Sequence, residues 1–184
     1  MRLMFSAVAL VAASAVLAAD EPPPSPEQQA RTLAKQFVGQ LKPQLKQAMD
    51  QGGPAMAVTV CAEVAPTIAD NLSAESGWTV KRVSLQPRNS GRAQPDQWEQ
   101  AVLYDFNRRQ AEGEAPARIA FGEEVDGQYR FMQAQGVEPL CLLCHGKGLS
   151  DEAQAALDKY YPDDQATGYS LDQVRGAISL SRDL

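Results

Sequence analysis

Histidine is almost missing from this chain: one residue among 184, beside three cysteines. That scarcity excludes any site needing two imidazoles from the same molecule. Basic charge is short as well, with 17 Lys and Arg against 23 Asp and Glu for a net of −6, which argues against phosphate-rich partners and nucleic acid in particular. No internal repeat is visible, and beyond residue 19 no apolar run reads as a membrane span of the roughly 20 residues required. What is present, 44% hydrophobic and 22% charged residues, suits one compact domain with a real core.

The first residues have the form of a secretory signal: Met1-Arg2, an uncharged apolar stretch over 3–19, and small residues at Ala18 and Ala19. Asp20-Glu21 follows in place of a positive stop-transfer flank, which disfavours a retained anchor. The expected organisation is a cleaved signal at 1–19, a Pro-rich linker at 20–26 containing Pro22-Pro23-Pro24-Ser25-Pro26, and one domain over 27–184, exported to the periplasm. In an oxidising compartment an odd cysteine count is conspicuous, because thiols there pair, react or bind something.

Leu33, Phe37, Leu41, Leu45 and Ala48 recur at helical spacing and predict an amphipathic helix that stops at Gly52-Gly53. Pro54 suits the first turn of a second helix, whose stripe of Ala57, Val60, Cys61, Val64, Ile68 and Leu72 places Cys61 inward; Pro66 kinks or restarts it. A strand is expected over 78–85. A helix opened by the Asp96/Glu99 box follows, then a hairpin turning at Asp126-Gly127, a helix over 150–160 and a last strand over 175–180. The pattern predicts an α+β domain around an antiparallel sheet.

Cys141-Leu142-Leu143-Cys144-His145 carries the chemistry. This is the attachment pattern of haem c, in which two thiols add to the porphyrin vinyl groups and the adjacent imidazole becomes an axial ligand of iron. Competing readings are a disulfide or redox pair, without the strand-then-helix context of thioredoxin, a Cys3His zinc site including Cys61, and a free structural CxxC. The second axial ligand must come from elsewhere than histidine. Met49, Met56 and Met132 are candidates that more often pack in cores. Cys61 is unpaired and inward-facing, and ligand and core-thiol readings stand level for it.

The chain resembles the PAS-like c-type haem domain family with mixed His/Cys axial ligation, formerly a domain of unknown function. The resemblance spans nearly all of the mature chain. It rests on Val60-Cys61 with Ala65-Pro66, Arg82-Val83-Ser84 with Arg88-Asn89, Pro95-Asp96 with Trp98-Glu99, Cys141 to Gly146, Tyr161-Pro162 with Asp164, Ala166 and Gly168-Tyr169, and Arg175-Gly176-Ala177. Ser90 and Arg92 depart from the family's more usual Pro and Asn, and Asp172-Gln173 from Gly-Asp. The resemblance implies a PAS-like antiparallel sheet flanked by helices, with N-terminal helices, one covalent haem c, His145 as proximal ligand and Cys61 as distal thiolate.

A thiolate that binds ferric iron about 10^5-fold more tightly than ferrous iron lowers the midpoint potential by about 0.3 V, at about 59 mV per decade. A released, protonated thiol would in turn leave a position for CO or NO. The haem propionates call for cationic partners, for which Arg82 and Arg88 are the first candidates, with Asn89 as a neutral donor beside them and Arg92 and Arg175 as further cations. Tyr160, Tyr161 and Tyr169 read as packing residues. The expected function is a low-potential electron carrier serving a separate redox partner protein. A redox or gas sensor acting through a partner is the alternative, and a peroxidase-like enzyme ranks third because no second histidine supplies acid-base chemistry.

Overall fold

The computed structural model describes residues 22–184; the signal expected at 1–19 lies outside the described residues. Helix α1 (Pro26–Thr59) opens on a reciprocal capping box between Ser25 and Gln28, with Pro26 in its first turn. Gly52 and Gly53 leave helical geometry, Gly53 at φ +64°, and kink α1 where the sequence predicts a stop. One π-helical turn (Val60–Val64) joins it to α2 (Ala65–Ser76), which restarts with Pro66 and ends at left-handed Gly77. By length and composition the helical run Pro26–Ser76 contains an 18-residue window able to cross a membrane, 28% of it buried; along the run as a whole, Leu33, Phe37, Leu41, Ile68 and Leu72 are packed in the core.

Strands β1 (Thr79–Val83), β2 (Ala120–Val125), β3 (Gln128–Gly136) and β4 (Val174–Asp183) form one antiparallel sheet in the order β1-β4-β3-β2. Three helices are interspersed: α3 (Gln97–Ala111), one-turn α4 (Leu142–His145) and α5 (Asp151–Tyr160). Asp126 and Gly127 both take positive φ, +50° and +79°, the geometry of the two-residue hairpin turn expected between β2 and β3. The result is a PAS-like α+β domain.

Side-chain alternation sends each strand to two different layers. Phe131, Ile178 and Leu180 pack with α1 and α2, whereas Met132, Ala134 and Ala177 pack with Val102, Leu103 and Phe106 of α3. β4 is therefore covered on both faces and lies in the interior of the sheet. A third cluster joins Val58 of α1 to Leu157 and Tyr161 at the end of α5, with Cys144 packed against it. The CxxCH segment is held there.

Gly176 of β4 lies against the end of β1. Its φ is +154°, and a Cβ there would lie 2.4 Å from the Val83 carbonyl oxygen and 3.2 Å from Ser84 Cβ. Gly176→Ala is expected to cost about 2–3 kcal/mol through backbone strain and overpacking, measured as a lower urea midpoint with an unchanged m-value.

Candidate functional site

The CxxCH motif lies on a short 3₁₀ turn (Pro139–Cys141) followed by α4. α4 stops after one turn at Gly146, whose amide donates to the Leu142 carbonyl; a Cβ on residue 146 would sit 2.5 Å from that oxygen. The loop after α5 then docks on the motif by backbone hydrogen bonds, from Tyr169 N–H to the His145 carbonyl at 2.9 Å and from Gly168 N–H to the Gly146 carbonyl at 3.0 Å. Tyr169 also meets the His145 ring edge-on, with centroids 6.4 Å apart.

His145 is buried, and its Nδ1 donates to the Ala166 carbonyl at 2.6 Å. That tautomer leaves the Nε2 lone pair free of a proton, with Arg88 Nη1 as a distant donor at 3.4 Å. Burial, followed by the Arg175 and Arg88 cations, holds the imidazole well below its usual pKa. The ring is neutral at pH 7, the form that binds metal.

His145 and Cys61 line the same cavity, a small space open to solvent and shared with Arg82, Arg88, Asn89, Tyr161 and Arg175. Cys61 is delivered by the π turn, a distortion frequent at functional sites because the extra residue re-aims the side chain. Burial pushes the Tyr161 hydroxyl up to about 12 and the Cys144 thiol up to about 11, so both are neutral near pH 7. All three cysteines are free and half-buried, so the disulfide alternative is not formed. Among the described residues no three His, Cys, Asp or Glu side chains converge as a metal cage, so the zinc alternative is not assembled.

The arginines expected to meet carboxylates divide into three kinds. Arg82 lies over the Phe37 ring at 5.7 Å and faces the cavity; no carboxylate among the described residues pairs with it. Arg175 likewise has no carboxylate partner among the described residues. It is half-buried and lines the cavity, and burial, then repulsion from Arg82, lowers its pKa. Two uncompensated guanidinium groups in one cavity form a site for paired carboxylates.

Arg88 lines the cavity as well, but its guanidinium already has partners within the protein. It pairs with Asp164 and donates to the Cys144 and Ala166 carbonyls. Arg92 forms an exposed pair with Asp70, away from the cavity. Asn89 lines the cavity, and its backbone carbonyl caps the turn through Arg92 and Ala93. Met132 is fully buried beneath α3 and Met56 is exposed; neither of these nor Met49 lines the cavity.

The cavity therefore presents an imidazole lone pair, a thiol and two cations, with two further thiols on the adjoining segment. Such a donor set can hold a flat, dianionic, metal-bearing group.

The sequence profile of the Tll0287-like family matches residues 23–182. The crystal structure of the cyanobacterial heme-protein Tll0287 superposes with a TM-score of 0.64 at 22% identity, covering 87% of this chain and 97% of that one. Among curated proteins none matches.

Proposed function

The chain belongs to the Tll0287-like family, and from that premise we propose that it is an exported monohaem c-type cytochrome working as a low-potential electron carrier in the periplasm. The observation that carries the reading is the meeting of the CxxCH histidine with Cys61 in one cavity that also holds Arg82 and Arg175, which have no carboxylate partner among the described residues. The heme-protein named by the structural match supports it.

In this reading Cys141 and Cys144 anchor the porphyrin as thioethers, His145 Nε2 and Cys61 Sγ are the iron ligands, and Arg82 and Arg175 hold the propionates. Bound haem supplies a one-electron couple. The protein supplies the rest: the Ala166 carbonyl fixes the imidazole tautomer, burial keeps that imidazole neutral, and Cys61 provides an anionic donor that favours the oxidised state. Asn89 borders the cavity and can add a neutral donor.

Holoprotein matured in cells competent for cytochrome c assembly is expected to give the pyridine haemochrome of haem c and to keep its haem through acid-acetone extraction. Cys141→Ala or Cys144→Ala should shift that band toward the spectrum of a haem with one free vinyl group. Loss of the wild-type haem to acid-acetone would refute covalent attachment.

A second reading, sensing of redox state or of CO and NO through a separate partner, is favoured by one feature: Cys61 sits on a π turn rather than on a regular helix. Such turns are rare single-turn irregularities found mostly at functional sites, which suits a donor with a switching role. Binding of CO to the reduced holoprotein, absent from a pure carrier, separates the two readings.

A further inference from the structure

One buried ion pair stands at the wall of the cavity, its guanidinium reaching within 3.4 Å of His145 Nε2 through Nη1. Arg88 and Asp164 are 8% and 10% exposed and lie 3.0 Å apart. A buried pair of this kind is weak evidence for stability, since well-packed apolar residues often do as well. Its contacts instead converge on the backbone around His145.

Asp164 Oδ1 accepts from the Ala166 amide at 2.8 Å and from Arg88 Nε at 3.2 Å. Arg88 Nη2 donates to the Ala166 carbonyl at 3.1 Å and to the Cys144 carbonyl. Ala166 is thus gripped through its amide by the carboxylate and through its carbonyl by the guanidinium. That carbonyl, using its second lone pair, is the acceptor of His145 Nδ1–H at 2.6 Å. Only a planar five-donor fork reaches the carboxylate and both carbonyls together; an ammonium retains the charge but not the fork.

We propose that Arg88 and Asp164 are positioning residues for His145: by clamping Ala166 and the Cys144 carbonyl they fix the tautomer and ring plane of the imidazole, and through these its donor strength at Nε2. The inference rests on the reading of His145 as an iron ligand. Outer partners of ligating histidines set orientation and basicity in this way.

The test uses wild-type holoprotein, Arg88→Lys, Asp164→Asn, and Val102→Ala, a core change beneath α3 that serves as a stability control. Ferric EPR g-values report the ligand plane, and NMR reports solvent exchange of the His145 Nδ1 proton. Both Arg88→Lys and Asp164→Asn are expected to shift the g-values and to speed that exchange about tenfold, the fold-change of losing one hydrogen bond. Val102→Ala should lower the melting temperature and move neither signal.

Wild-type signals in both site variants, or an equal change in Val102→Ala, would overturn the proposal. Should Arg88→Lys fail to accumulate, the near-isosteric Asp164→Asn decides alone. Absence of covalent haem from the wild type would be seen before any variant is compared, and would mark failure of the site reading itself.

Discussion

Cys61→Ser is expected to raise the midpoint potential of the holoprotein by about 0.3 V, the shift that corresponds to about 10^5-fold preferential binding of thiolate to ferric iron. Serine is nearly the shape of cysteine, so the half-buried position should tolerate it with little loss of fold. Its hydroxyl is far harder to ionise than a thiol and does not replace an anionic sulfur donor. The low-spin thiolate signature in the ferric EPR spectrum should vanish in the same variant. The result is sharp because the chain offers few substitutes: Met49, Met56 and Met132 lie away from the cavity, and there is no second histidine. A spectroelectrochemical titration with an unchanged midpoint and unchanged g-values would remove Cys61 from the iron. Tyr161, which lines the same cavity and whose hydroxyl is held neutral by burial, would then be the next residue to replace.

Local signals carried most of the fold. The Gly52-Gly53 break, the restart at Pro66, the Asp96/Glu99 capping box and the Asp126-Gly127 hairpin each depend on residues within a few positions of one another, and each occurs where the sequence predicts it. The π turn at Val60–Val64 was invisible, since one extra residue in a helical turn leaves the apolar stripe of Ala57, Val60 and Val64 almost intact. β4 runs longer than the expected 175–180. Both of its faces are covered, so Ala177-Ile178-Ser179-Leu180 shows no clean alternation by which to bound it.

The site divides along the same line. Cys141, Cys144 and His145 announce themselves by spacing, while Arg88 belongs to a carboxylate 76 residues away and could not be assigned from its neighbours. Arg82 and Arg175, well separated in sequence, come to one cavity because β1 pairs with β4, Arg82 opposite Ile178, and because the register shift at Gln135/Gly136 leaves Arg175 as an extra residue in β4. Regular alternation alone would put the two on opposite faces of the sheet.

Register also explains the largest stability effect expected away from the proposed haem site. Glu99 was legible as the third residue of a capped helix, a position ordinarily at the surface, yet it is completely buried. Its carboxylate accepts from the Asp96 amide at 2.9 Å, from Lys81 Nζ at 3.0 Å and from Ser179 Oγ at 2.6 Å, with Arg130 at 3.5 Å. Through these bonds α3 is tied to β1, β3 and β4 at once. Glu99→Ala removes the common anion and leaves Arg130, whose Nε already lacks a hydrogen-bond partner, with the exposed Asp96 as its remaining carboxylate. Breaking a buried charge network on one side costs about 3–5 kcal/mol, which in a domain of this size lowers the melting temperature by about 10 °C. Glu99→Gln keeps acceptors for the Asp96 amide and Ser179 and should lose less than the alanine variant. The haem spectrum should stay unchanged in both, because neither Glu99 nor its partners line the cavity. A calorimetric scan showing wild-type stability for Glu99→Ala would mean that the network is replaceable by water and that α3 is held by Val102, Leu103 and Phe106 alone.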